Sequence, residues 1–96
     1  MDKQQILKSL GDRKEQLHDF AVKTLWLFGS VARDEAHAES DVDLLVEFEK
    51  PVGLLTFIRL KQYLEESLSC SVDLGTPNSL RPDLKETVLK EAIRAF

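Results

Sequence analysis

The 96-residue chain is expected to fold as an α/β (α+β) domain, a small sheet backed by helices in the order αβαβαβα. Three observations predict this. Two apolar runs, Val22–Phe28 and Val42–Phe48, have the length and chemistry of strands. Segments with apolar residues at helical spacing alternate with them. Turn residues punctuate the boundaries, at Gly29-Ser30, at Pro51-Val52-Gly53 and at Gly75-Thr76-Pro77-Asn78.

Residues 3–19 read as a first helix, with Ile6, Leu10 and Leu17 on one side and Gly11 weakening it by about 1 kcal/mol. Val22–Phe28 follows as a strand apolar on both faces, Leu25 and Leu27 against Val22, Trp26 and Phe28, which suits the sheet centre. Residues from Ser30 to about His37 suit a short helix, favoured by Ala32, Ala36 and Ala38. In the second strand Val42, Leu44, Val46 and Phe48 make one wholly apolar face. A helix over Leu54–Leu68 draws its apolar side from Leu54, Phe57, Ile58, Tyr63, Leu64 and Leu68. Residues 71–74 form a third strand. Pro82 stands at a first helical position, and Leu84, Val88, Leu89, Ala92 and Ile93 build a last amphipathic helix. One domain over residues 1–96 is expected, with a modest core.

Composition narrows the function classes. The chain is 43% hydrophobic and 31% charged, an ordinary globular balance. No apolar run approaches the roughly 20 residues of a membrane span, and the polar start lacks a signal-peptide core. Cys70 is the single cysteine, which excludes an internal disulfide and fits a cytoplasmic setting. The net charge is -4 and no basic stripe is present, so direct binding of a long nucleic acid is not expected. A nucleotide carried with Mg²⁺ needs no such stripe, because the metal supplies positive charge.

Asp41 and Asp43 stand two apart at the start of the second strand, so alternation sends both carboxylates to one face. Two carboxylates about 4 Å apart repel by about 4 kcal/mol at an effective dielectric near 20, a cost that a cation would remove. Upstream of them, Gly29-Ser30 follows an apolar run and opens a helix, a turn that offers backbone N–H groups to a phosphate. Asp73 lies in a later strand. A phosphate cradle beside carboxylates is the equipment of metal-assisted phosphoryl or nucleotidyl transfer. The plain alternative makes Asp41 a turn cap and Asp43 a solvated strand-edge residue, although Asp is depleted in strands.

Phe28-Gly29-Ser30-Val31-Ala32-Arg33, Ser40-Asp41-Val42-Asp43-Leu44-Leu45-Val46 and Val72-Asp73-Leu74 together resemble the minimal nucleotidyltransferase group. That group belongs to the DNA polymerase β-like nucleotidyltransferase superfamily, and the resemblance covers nearly the whole chain. It implies a polymerase β-like palm with a small mixed sheet. It further implies that Asp41, Asp43 and Asp73 are catalytic and ligate Mg²⁺, two ions being expected, while Gly29 and Ser30 hold the terminal phosphates of ATP. Relatives often carry Gly after the arginine, where Asp34 follows Arg33 here; this departure removes no ligand. The resemblance implies an antitoxin of the HEPN–MNT type that transfers AMP from ATP to a tyrosine of a cognate HEPN-type toxin encoded nearby. It leaves a homodimer or a hetero-oligomer open.

Individual residues carry competing readings. Ser30 also suits a helix N-cap, which uses the same helix end as phosphate binding. Arg33, one turn into that helix, is read equally as a nucleotide contact or a solvated arginine. Glu47 shares the face of Asp43 but lies about 13 Å along the strand, too far to be a metal ligand. His18 and His37 have no second His or Cys at zinc-ligand spacing. Trp26 and Tyr63 read as core, with base stacking the alternative. Beside the enzyme stand two other functions: a non-catalytic antitoxin acting by direct binding, and a transferase for a small molecule, disfavoured because no acceptor domain is visible.

Overall fold

The computed structural model describes residues 3–29, 42–77 and 82–95. Among them the chain runs α1 (Lys3–Asp12), α2 (Lys14–Asp19), β1 (Val22–Phe28), β2 (Val42–Phe48), α3 (Leu54–Leu68), β3 (Val72–Gly75), α4 (Pro82–Glu91) and β4 (Ile93–Arg94). The strands form one mixed sheet in the order β3-β2-β1-β4. β1 is antiparallel to β2 and to β4, and β2 is parallel to β3.

Both long strands fall on the expected residues because alternation and turn chemistry agree there. Leu25 and Leu27 of β1 and Val42, Leu44 and Val46 of β2 face a core completed by Ile6, Leu10 and Leu17 from α1 and α2. From α3 come Leu60, Leu64 and Leu68, each at most 1% exposed. Phe48 packs at its margin, its ring 6.4 Å from that of Phe57. Tyr63 is half-buried against the same cluster, 5.5 Å from Phe20.

Five expectations are corrected. The first helix is two helices, broken at Arg13. The Arg13 guanidinium donates to the Ser9 carbonyl, while the Arg13 N–H turns to Leu10 O at 3.1 Å, so the i to i−4 ladder is interrupted. The apolar face nevertheless continues through Leu17. Val22 belongs with the core and not with Trp26 and Phe28, because a register irregularity between Val22 and Thr24 turns the start of β1 over. Trp26 itself is half-buried rather than core. On α3, Leu54 and Ile58 are exposed, and Leu60 takes the inward position. Finally, Ala92 and Ile93 do not extend the last helix: the chain leaves it after Glu91, and Ile93 and Arg94 form a fourth strand on β1. Leu27 pairs with Ile93 and Trp26 with Arg94, and Ala95 N–H donates to Leu25 O at 2.7 Å. The open edge of β1 thus outweighs the local helix preference of the Glu-Ala sequence. The expected helix over residues 30–37 lies outside the described residues.

The buried face should set stability. Leu44→Ala, at a fully buried position, is expected to cost about 2–5 kcal/mol, whereas Leu55→Ala, 61% exposed, should stay within about 0.5 kcal/mol. Urea titration of the two variants checks this; equal losses would contradict the core described above.

Candidate functional site

The site is built where β1 ends and β2 begins. Antiparallel pairing sets Phe28 opposite Asp43, and parallel pairing sets Asp43 beside Asp73. Register partners on neighbouring strands share a face and lie about 4.8 Å apart in the hydrogen-bonding direction. Asp43 and Asp73 therefore stand side by side on the face opposite Leu44 and Leu74, which are core residues. Asp43 is half-buried on an inner strand, which removes the strand-edge alternative, and Asp73 is exposed.

Gly29 follows Phe28 directly and meets the Asp43 side chain. Its φ is +78°, in the left-handed region that disfavours a side chain. A Cβ placed there would run into the Asp43 carboxylate, lying 3.0 Å from Cγ and 3.2 Å from Asp43 Cβ. Two constraints thus converge on one glycine: the backbone must turn sharply, and it must pass against a carboxylate. The sequence signals the turn; the close approach to Asp43 becomes visible only once the strands are paired.

Along the same face an apolar residue follows the carboxylates. Leu45, 1% exposed, pairs with Trp26 on one side and Gly75 on the other. Glu47, at the far end of β2, forms an ion pair with Lys23 at 3.2 Å. Behind the carboxylates, the Val72 N–H donates to Glu65 Oε2 of α3 at 3.2 Å, tying β3 to the helix layer. Val42 N–H donates to Ser71 O at 3.0 Å, which fixes the register next to Asp43.

Asp41, Ser30 and Arg33 lie outside the described residues. Among the described residues no three His, Cys, Asp or Glu side chains converge as a metal site; two of the three expected carboxylates are adjacent there. Oxygen-only donors of this kind suit a hard cation such as Mg²⁺ better than a thiophilic metal.

Residues 4–95 match the model of the nucleotidyltransferase domain. The chain belongs to that family. It is 44% identical over 81 residues to the protein adenylyltransferase MntA of Thermococcus cleftensis, covering 84% of this chain and 82% of the relative. It superposes on a solved structure assigned as a minimal nucleotidyltransferase with a TM-score of 0.76, 42% identity and coverage of 97% and 95% of the two chains. The fold also matches an antitoxin crystallised in complex with a tri-AMPylated HEPN toxin of Shewanella oneidensis. There the TM-score is 0.63 and the identity 23%, over 91% of this chain and 70% of that one, a likeness of fold. The mixed sheet with helices behind it is the nucleotidyltransferase fold that the sequence predicts, with β4 added to the three expected strands. No helix among the described residues is long and apolar enough to cross a membrane.

Gly29→Ala tests the close approach. It is expected to cost at least about 1–2 kcal/mol, the penalty for a side chain in the left-handed region. Asp43→Ala in the same chain should recover part of any further loss, since residues in contact couple. Strictly additive losses in a double-mutant cycle would show that the two do not constrain each other.

Proposed function

We propose that this nucleotidyltransferase is a Mg²⁺-dependent protein adenylyltransferase that serves as an antitoxin, moving AMP from ATP to a tyrosine of a HEPN-type toxin encoded nearby. The observation that carries it is the adjacency of Asp43 and Asp73 with Gly29 packed on Asp43, at the end of β1 where a triphosphate would enter. The name of the Thermococcus relative and the AMPylated toxin held by the Shewanella antitoxin support the reading.

In this reading Asp41, Asp43 and Asp73 would hold two Mg²⁺ ions. When bound, the ions offset carboxylate repulsion and stabilise the charge that develops on the transferring phosphoryl group. Gly29 and Ser30 offer backbone N–H groups to the β- and γ-phosphates, and Arg33 adds a cation beside them. Glycine at position 29 keeps that backbone accessible, because a side chain there would occupy the space next to Asp43. The tyrosine oxygen attacks the α-phosphorus, the bond to the β-phosphate bridging oxygen breaks, and pyrophosphate departs. The hydroxyl proton passes to Asp73, the exposed carboxylate on the open side of the pair. That assistance matters because an unperturbed tyrosine, with a pKa near 10, is a weak nucleophile at neutral pH.

Two experiments test the proposal. ATP should bind with Mg²⁺ present and weakly in EDTA; calorimetry giving equal affinities would remove the metal from the site. Asp73→Asn should keep most of the MgATP affinity while losing AMP transfer. The readout is the intact mass of the neighbouring gene product after incubation with ATP. A gain of whole AMP units with the wild-type chain, and none with Asp73→Asn, supports the enzyme. Stoichiometric neutralisation without a mass change, matched by Asp73→Asn, would instead establish an antitoxin that acts by binding.

A further inference from the structure

Asp73 stands on a strand with little of its own to hold it. β3 is four residues long, lies at the edge of the sheet and pairs with β2 in the parallel sense, slightly less stable per residue than antiparallel pairing. Val72 and Leu74 anchor it on the core side. Further ties lead to one residue of α3. The Glu65 carbonyl closes that helix by accepting the N–H groups of Ser69 and of Cys70, the latter at 3.3 Å. The Glu65 side chain then reaches past the turn, where its Oε2 accepts the Val72 N–H at 3.2 Å. Between these two bonds Ser71 O accepts the Val42 N–H at 3.0 Å. Residues 70, 71 and 72 are thus pinned in succession, the outer two to Glu65 and the middle one to β2, up to the position of Asp73.

We propose that Glu65 is a positioning residue for Asp73: its carboxylate clamps β3 so that the Asp73 carboxylate stands beside that of Asp43. This role rests on the transferase reading above, because it prepares the group that takes the tyrosine proton. The bond suits the task. A carboxylate is a stronger acceptor for a backbone N–H than a neutral group, and here it is presented from a rigid base. Leu64 and Leu68, each at most 1% exposed, fix the same stretch of α3 in the core. The connection adds no slack, since Ser69 takes the left-handed conformation, φ 55°, that ends the helix directly. Reacting groups need placement within about 0.5 Å, and a shift of about 1 Å costs about a hundredfold in rate. An edge strand that opens locally does not keep that tolerance unaided.

The test compares Glu65→Ala, Glu65→Gln and Glu65→Asp with Glu66→Ala, an exposed neighbour whose loss removes the same charge. Gln keeps an accepting oxygen at the same reach, whereas Asp keeps the charge but is one carbon shorter. With the product of the adjacent gene as acceptor, Glu65→Ala and Glu65→Asp should lower kcat about tenfold or more. The Kd for MgATP should change less than about twofold, the same split expected of Asp73→Asn. Glu65→Gln and Glu66→Ala should keep kcat within about threefold of wild type. In the metal-free chain, amide hydrogen exchange at Val72 and Asp73 should quicken about tenfold in the Ala and Asp variants, and stay unchanged at Leu44. A lower melting temperature with unchanged kcat, assayed well below the melt, gives Glu65 a structural role only and overturns the proposal. So does an equal loss of kcat in Glu65→Gln and Glu65→Ala. Should Glu65→Ala not fold, Glu65→Asp against Glu65→Gln carries the same comparison. If the wild-type chain moves no AMP to its neighbour, the transferase reading fails alone, and amide exchange decides on the clamp. Faster exchange at Asp73 in Glu65→Asp than in Glu65→Gln supports it, and equal exchange overturns it.

Discussion

Pairing of Phe28 with Asp43 places the turn after β1 against the first carboxylate of β2, and the rest of the site follows from that register. Side chains alternate along a strand, so a slip of one residue would send Asp43 into the core and Leu44 to the open face. The buried row of Leu25 and Leu27 against Leu44 and Val46 forbids the slip. Once it is fixed, Gly29 meets Asp43, and β3 adds Asp73 in line with it. Hydrophobic burial on one face thus holds in position charges that would otherwise separate on the other.

This division of labour has an energetic consequence. Adjacent carboxylates repel, by about 4 kcal/mol at about 4 Å and an effective dielectric near 20. The opposing face carries that load with residues from α1, α2 and α3 buried against β1 and β2. Protection of the sheet edges belongs to the same economy of parts. β4 covers the outer side of β1, and Glu65 takes the Val72 N–H on the outer side of β3. A bonded N–H no longer offers itself to another chain.

How far the sequence reveals this depends on which force decides each element. β1, β2 and α3 were legible to the residue, because apolar periodicity and turn residues point the same way. The final strand was not. Ile93 and Arg94 carry no strand signal beyond one β-branched residue, and they are drawn from helix to strand by an unpaired edge that only the folded sheet possesses. The inward side of α3 was legible in part: Leu64 and Leu68 turn inward, but Leu54 and Ile58 share the same spacing and remain outside. Periodicity specifies which residues share a stripe; it does not specify how far along the helix the core extends. At the candidate site, the residue types and the carboxylate face were readable, while the pressure of Gly29 on Asp43 required the register.

The two carboxylates differ in surroundings in a way the motif alone does not express. Asp43 sits half-buried on an inner strand, with Gly29 against it. Asp73 is exposed on the edge strand, held there by the ties of Val72 to Glu65 and of Ser71 to Val42. A group enclosed by the turn that would carry the triphosphate suits binding, since its position is fixed before any acceptor arrives. A group facing solvent at the sheet edge is the one an incoming hydroxyl can reach. In the proposed reaction nucleotide and acceptor therefore approach from different sides of the carboxylate pair.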